Sequence, residues 1–128
     1  MKAPSDRRYS QTHEWFLLDG DVVTMGITQF AADELTDITY VELPEIGKTV
    51  AAGDAIGEIE SVKATSDVQT AVSGSIIEVN TTLPDQPERI NEDAFGDGWL
   101  VKIKVAETAS FRALMDAKEY KSFVRAAR

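Results

Sequence analysis

Short alternating apolar stretches separated by turn residues recur along most of this chain, and this pattern constrains the fold more than any other feature. Asp19-Gly20 separates two such stretches, residues 9–18 and 22–27, and this dipeptide is a strong hairpin signal. Further strands are predicted at residues 38–43, around Ile56 and Ile59, and at residues 76–79 and 99–105. Many short strands bounded by glycine and proline turns are typical of a β-sandwich or barrel. We therefore expect a mainly β fold of antiparallel strands.

Two segments depart from the β pattern. Thr28 precedes a run of alanines and acids, and because threonine is a common helix-capping residue, a short helix is predicted over residues 28–35. From about residue 108 the apolar residues follow helical spacing in two groups. These groups predict two short helices with a break near residues 116–118.

The chain has 128 residues, which is enough for one compact core and too few for two ordinary domains. Residues 1–8 are polar and are predicted to form a loose end. Residues 9–128 are then a single domain that includes the C-terminal helices. Residues 83–91 are predicted to be a loop, because Pro87 lacks the N–H that the interior of a strand requires.

The composition excludes several classes of function. A net charge of −9 argues against a nucleic-acid partner, because phosphates are neutralised by basic surfaces. The sequence contains no apolar run approaching the ~20 residues that cross a bilayer, so no membrane role is expected. With no cysteine and one histidine, it lacks thiolate nucleophiles and multi-histidine metal sites. We expect a non-catalytic protein whose reactive sulfur, if any, comes from a cofactor.

Lys63 is the only basic residue between Lys48 and Arg89. The acidic residues in the same interval are Asp54, Glu58, Glu60, Asp67, Glu78, Asp85 and Glu88. Alternating residues on both sides of Lys63 predict two strands joined as a hairpin, with the lysine near the tip. Spacing alone favours a solvated surface lysine, whereas a hairpin tip also exposes it to a modifying enzyme.

The residues around Lys63 carry a family resemblance. Glu60-Ser61-Val62-Lys63-Ala64 resembles the lipoyl-attachment motif of the H protein of the glycine cleavage system. Other segments match the family pattern in order and separation: His13-Glu14-Trp15, Gly26-Ile27-Thr28, Tyr40-Val41-Glu42-Leu43-Pro44, Val72-Ser73-Gly74, Glu78-Val79-Asn80 and Gly98-Trp99-Leu100. The resemblance spans roughly residues 9–120, and an ordered set of motifs is much more specific than one motif. It implies a barrel-sandwich hybrid of the lipoyl-domain type.

The resemblance also implies a carrier function. Lipoic acid would be joined to Lys63 by an amide, and Glu60 and Ser61 would help a lipoate ligase, or a lipoyl or octanoyl transferase, to recognise the hairpin. The carrier would take an aminomethyl group from a pyridoxal-phosphate glycine decarboxylase to a tetrahydrofolate-dependent aminomethyltransferase. Dihydrolipoamide dehydrogenase would then reoxidise it. The expected compartment is the bacterial cytoplasm, or the mitochondrial matrix for a processed organellar form.

H proteins are understood to fold the loaded arm into a cleft. A cationic aminomethyl group in a cleft needs anionic or hydrogen-bonding partners, because an unpaired buried charge is costly. The resemblance makes Glu14 and Asp67 the candidate carboxylates, and Thr12 and Thr70 the secondary hydrogen-bond acceptors. Each carboxylate also fits a surface position, and each hydroxyl fits a strand edge.

Alternative functions stay open on the sequence alone. A biotinyl carrier domain also presents a lysine on a hairpin, but it typically has methionines on both sides, where this chain has Val62 and Ala64. An H-like lipoyl donor, or an unmodified interaction module, would share the fold without the carrier role. An intact-mass measurement separates these functions.

Overall fold

The computed structural model describes residues 1–127, and Arg128 lies outside the described residues. Within residues 1–127 the strands are β1 Arg8–Tyr9, β2 Glu14–Asp19, β3 Val22–Ile27, β4 Ile38–Glu42, β5 Thr49–Val50, β6 Ala55–Ser61, β7 Thr65–Gln69, β8 Gly74–Val79 and β9 Val101–Val105. The helices are α1 Gln29–Leu35, α2 Glu88–Glu92, α3 Ala109–Arg112 and α4 Ala117–Ala127. The predicted mainly β architecture is confirmed.

The strands form two antiparallel sheets. One has six strands in the order β1-β2-β3-β9-β8-β5, and the other has three in the order β4-β6-β7. The apolar residues of both sheets meet in one core, represented by Phe16, Ile59, Ile76 and Ile103. Burying an aliphatic or phenylalanine side chain contributes about 1.5–3 kcal/mol, so alternation of apolar residues fixes which face of each strand points inward.

The first hairpin is confirmed, but the strand that leads into it is shorter than predicted. Asp19 pairs with Val22 across the turn, and Gly20 has φ 64°, a conformation that glycine adopts without steric cost. The predicted strand over residues 9–18 is wrong, because a loop between β1 and β2 interrupts it. Its last residue, His13, has φ 70°, outside the extended region that a strand requires.

Two other sequence predictions need correction. The strand predicted over residues 38–43 ends at Glu42, and its Tyr40 is 45% exposed, because a register shift between Ile38 and Tyr40 breaks the alternation. The loop predicted for residues 83–91 contains the start of α2. Pro87 occupies the N-cap position of this helix with φ −63°, and proline is favoured at a helix start, where its missing N–H breaks no helical hydrogen bond.

The amino-terminal segment does not behave as a loose end at Ala3, Arg7 or Arg8. Ala3 is buried, Arg8 begins β1, and the Arg7 guanidinium donates a hydrogen bond to the Phe95 carbonyl at 2.9 Å. The same guanidinium lies 4.7 Å from the centroid of the Trp15 ring. Polar composition does not predict these contacts. Arginine counts as a polar residue, yet its side chain can lie flat over an aromatic ring.

The predicted helices are present, but the break between the last two covers residues 113–116, so the predicted break near residues 116–118 overlaps the start of α4. The Thr28 side chain accepts a hydrogen bond from the Ala31 N–H and caps α1, and the C-terminal segment contains α3 and α4 with a break between them. Helix α4 packs on a second apolar cluster that includes Tyr9, Trp15, Tyr120 and Val124. The C-terminal helix therefore lies beside the loop that joins β1 to β2.

Candidate functional site

The hairpin predicted around Lys63 is present. Strands β6 and β7 pair antiparallel, with Glu60 opposite Thr65, and residues 62–64 form the tip. Val62 is 68% exposed and Lys63 is exposed beside it. Within residues 1–127 the structure shows no hydrogen bond or ion pair from the Lys63 ammonium, whose backbone N–H alone is bonded.

The Ser61 side chain shapes the turn at this tip. Its hydroxyl accepts hydrogen bonds from the N–H groups of Lys63, at 3.3 Å, and Ala64, at 3.1 Å, and donates one to the Ala64 carbonyl at 3.2 Å. The Val62 N–H bonds the Asp37 carbonyl at 3.1 Å, which ties the tip to the residue before β4. The hydroxyl stabilises a turn without glycine or asparagine, so the backbone is fixed while the Lys63 side chain is free.

Glu14 is the second main residue of the candidate site, and it lies at the start of β2. The residue is 2% exposed. The carboxylate accepts hydrogen bonds from the Ser10 hydroxyl at 2.7 Å, from the Thr12 hydroxyl, and from the Gln69 N–H at 3.1 Å. Burial raises the pKa of Glu14, and these three donors act in the opposite direction. The group is therefore a buried acid with organised donors around it.

A cleft opens between the loop before β2, helix α1 and strand β7, and we call it the α1 cleft. It has a volume of about 300 Å³. Its polar wall carries Thr12, Glu14 and Asp67, and Phe30, Leu35 and Ile59 line its apolar wall. Three of the four residues proposed from the resemblance for a cargo cleft therefore border one cavity.

Thr70 is not among the residues that line the α1 cleft. It lines a second cavity of about 360 Å³, the C-terminal cleft, which also borders Thr12 and Glu14 and reaches Met115. The Thr70 hydroxyl donates to the Val72 carbonyl at 2.8 Å and accepts from the Val72 N–H at 3.1 Å. The proton of this hydroxyl is thus used within its own turn, and Thr70 shares a cavity with Thr12 and Glu14 but not with Asp67.

Sequence reasoning missed Ser10 and the Gln69 N–H as partners of Glu14, and it assigned no functional role to His13. His13 lines the α1 cleft. Ser10 stands four residues before Glu14, but that spacing indicates contact only once the chain is known to loop there. The alternating pattern of residues 9–18 conceals the loop, so the sequence offered no usable signal for Ser10.

Within residues 1–127 no group of three or more His, Asp or Glu side chains is placed to hold a metal ion. In the same range no helix combines the length and apolar character needed to cross a membrane.

Comparison with known proteins assigns the family. A model of the glycine cleavage H-protein matches residues 7–127. The chain belongs to the glycine cleavage H-protein family. The resemblance to this family, which rests on the motif around Lys63 and on the other matching segments, is confirmed.

The relatives of this family member cover nearly the whole chain. The chain is 47% identical over 120 residues to the glycine cleavage system H protein of Parvibaculum lavamentivorans, covering 94% of this chain and 96% of that protein. It is 48% identical over 122 residues to the glycine cleavage system H protein of Acinetobacter baumannii, covering 95% and 98% respectively.

A solved structure supports the same assignment. The crystal structure of a glycine cleavage system H protein from Mycobacterium marinum superposes with a TM-score of 0.86 at 40% identity, covering 94% of this chain and 97% of that chain. The predicted barrel-sandwich hybrid of the lipoyl-domain type is confirmed by this likeness.

Proposed function

We propose that this H-protein family member carries lipoic acid on Lys63 and shuttles an aminomethyl group in glycine cleavage. Its family makes it a non-catalytic lipoyl carrier that works with the other components of that system. One observation supports Lys63 as the attachment point. Its ammonium group is exposed and unpaired within the described residues, at the tip of a turn whose backbone is held by Ser61.

The residues of the chain suit the group they would hold. An amide at Lys63 removes one positive charge from an acidic surface, and the tip leaves the modified side chain free to move. When bound, lipoic acid supplies two sulfur atoms that accept and release the cargo and undergo redox exchange. The protein supplies position and a high local concentration at each docked partner.

Glu14 is the residue we assign to the charge of the cargo. Its carboxylate borders the α1 cleft and is already held by donors from Ser10, Thr12 and Gln69. A cationic aminomethyl group entering the cleft would favour the ionised form of this acid. Asp67, exposed at the cleft wall, adds a second negative charge. Thr12 orients Glu14 through its hydroxyl. Thr70 is assigned as a secondary hydrogen-bond acceptor on the side of the C-terminal cleft.

The hairpin itself is proposed as the surface that the lipoylating enzyme recognises. Ser61 contributes by fixing the turn, and the half-buried Glu60 lies on the strand beside it. This enzyme is a lipoate ligase or a lipoyl or octanoyl transferase.

Three partner enzymes complete the proposed function in a bacterial cytoplasm: pyridoxal-phosphate glycine decarboxylase, tetrahydrofolate-dependent aminomethyltransferase and dihydrolipoamide dehydrogenase. The net charge of −9 favours approach by basic surfaces on these partners, since complementary charge accelerates encounter.

Intact-mass measurement after expression in a lipoate-replete host tests the attachment. We expect the unaltered chain to gain one lipoyl group and Lys63→Arg to gain none. Lys48→Arg is the matched control, because Lys48 is also an exposed lysine at a turn, where it follows Gly47. The Lys48→Arg variant should still be lipoylated. A biotin increment would indicate a biotinyl carrier, and an unmodified chain in that host would indicate an interaction module; either outcome contradicts the proposal.

A further inference from the structure

Three side chains from separate elements form a continuous hydrogen-bonded chain behind the α1 cleft. The Tyr120 hydroxyl of α4 lies 2.8 Å from His13 Nδ1 and 2.8 Å from the Thr28 hydroxyl. Tyr120 and Thr28 are fully buried, and His13 is half-buried. Helix α4 therefore reaches the wall of the α1 cleft through one hydroxyl group.

The directions of these hydrogen bonds follow from the donors available. Thr28 Oγ1 accepts from the Ala31 N–H at 3.2 Å, and its own buried proton needs an acceptor. Within residues 1–127, the acceptor that the structure gives it is the Tyr120 oxygen. Thr28 then donates to Tyr120, and Tyr120 donates to His13 Nδ1. A nitrogen that accepts a hydrogen bond carries no proton, so the neutral His13 ring carries its proton on Nε2.

We propose that Tyr120 is a positioning residue for the carrier function, which holds His13 in its neutral Nε2–H form and so keeps a cation out of the cargo cleft. The inference rests on the proposed function, because it concerns the same α1 cleft. Protonating Nδ1 would turn an acceptor into a donor, and the Tyr120 proton would lose its partner. A charged imidazolium beside Glu14 would repel a cationic aminomethyl group and compete for the carboxylate.

The charged groups around His13 do not by themselves keep its imidazole ring neutral. The ionisable groups that face it are Glu34 of α1, Glu14 of β2, Asp67 of β7 and Tyr120 of α4. Burial lowers the pKa of His13, while Glu34 opposes this change. The Glu34 carboxylate therefore favours the cationic form of the imidazole, and the hydroxyl chain acts together with burial against it. Burial also raises the pKa of Tyr120 to about 12, so its hydroxyl remains a donor at neutral pH.

Packing fixes the geometry of the ring. His13 contacts Phe30 at 5.0 Å and Phe123 at 6.0 Å between ring centroids, and the Tyr120 ring stacks on Tyr9 at 4.7 Å. The Thr28 N–H also bonds the His13 carbonyl at 3.0 Å. These contacts hold Nδ1 toward Tyr120, so the tautomer is determined by fixed neighbours.

Nuclear magnetic resonance of the untagged chain tests the inference directly, because His13 is its only histidine. Nitrogen shifts should show Nδ1 unprotonated in the unaltered protein. Tyr120→Phe should raise the His13 pKa by roughly half a unit to one unit, because a hydrogen bond to the neutral form is lost. Tyr9→Phe is the matched control: it removes the neighbouring hydroxyl of the stacked pair, which bonds the Pro4 carbonyl instead, and it should leave the His13 pKa unchanged.

Release of the aminomethyl group from lipoylated chain, loaded by glycine decarboxylase, provides the functional readout. Tyr120→Phe should accelerate release several-fold as the pH falls below roughly 6.5, whereas the Tyr9→Phe carrier should match the unaltered one. A proton on Nδ1 in the unaltered protein would overturn the inference without any variant. An unchanged His13 titration in folded Tyr120→Phe would overturn it as well. Rapid loss of the aminomethyl group from the unaltered carrier would instead contradict the proposed function. The nitrogen shifts of His13 would still decide the tautomer.

Discussion

The Lys63 hairpin tip and the Glu14 pocket differ in which part of the residue is held. At the tip, the Ser61 hydroxyl and the Asp37 carbonyl hold the backbone, and the Lys63 side chain projects unbound. In the pocket, donors from Ser10, Thr12 and Gln69 hold the side chain of Glu14 itself. One region offers a mobile attachment point, and the other offers a fixed, buried acid.

This difference separates two tasks that a carrier must perform. Attachment requires a side chain that an enzyme can reach, and it places no demand on the pKa of neighbouring groups. Retention of a cationic cargo requires a preorganised acceptor in a cavity, at the cost of burying a carboxylate. Substitutions at the tip should therefore change attachment without changing retention, and substitutions in the pocket should do the reverse.

The largest effect that sharpens this comparison is expected from Glu14→Gln. The glutamine amide would preserve the shape of the side chain but remove its charge, and a hydrogen bond to a charged group contributes about 1.5–3 kcal/mol. We expect release of the aminomethyl group to become roughly tenfold to a hundredfold faster, with lipoylation at the normal rate. The release is measured on loaded chain by formaldehyde trapping. Equal release rates for the two proteins would remove Glu14 from retention.

A smaller effect is expected from Ser61→Ala at the tip. Losing the hydroxyl leaves turn N–H groups unpaired and should lower the free energy of unfolding by about 1 kcal/mol. Lipoylation should slow, while release from the modified chain should not change. Ser73→Ala is the control, since its hydroxyl accepts a comparable bond from the Ala52 N–H at 2.9 Å at another turn. If both variants were lipoylated at the same rate, the tip geometry would have no role in recognition.

The smallest effect is a change in the pH dependence of stability. Burial raises the pKa of Glu14 above its ordinary value of 4.5, so the folded state keeps this proton to a higher pH than the unfolded state. The stability that this difference contributes is complete below 4.5 and is lost as the pH rises through the raised folded value. Glu14→Gln cannot titrate, so its stability relative to the unaltered protein should increase over that interval. Urea unfolding across the acidic range measures the difference, and a constant offset would contradict it.

The sequence predicted the tip better than the pocket for a physical reason. Alternating residues on both sides of Lys63 report directly on two paired strands, and a hairpin places its central residue outward. The tip lacks the glycine that such turns usually contain. The hydrogen bonds of the Ser61 side chain stabilise the turn instead. Local patterns therefore sufficed to locate the exposed lysine.

The pocket depends on contacts that no local pattern encodes. Glu14 meets the Gln69 N–H across 55 positions of sequence, and His13 meets Tyr120 across 107. The loop that brings Ser10 to Glu14 is hidden in a stretch that alternates like a strand, and it ends at a non-glycine residue with positive φ. The resemblance supplied Glu14 and Asp67 as candidates, but the donors around Glu14 became evident only in three dimensions.

Glycine-dependent exchange of bicarbonate with the carboxyl group of glycine tests the carrier role of Lys63 most directly. The assay combines glycine decarboxylase with lipoylated chain, with Lys63→Arg, or with Lys48→Arg as the matched control. We predict full exchange with the unaltered chain and with Lys48→Arg, and background exchange with Lys63→Arg. Exchange retained by Lys63→Arg would contradict attachment at this lysine.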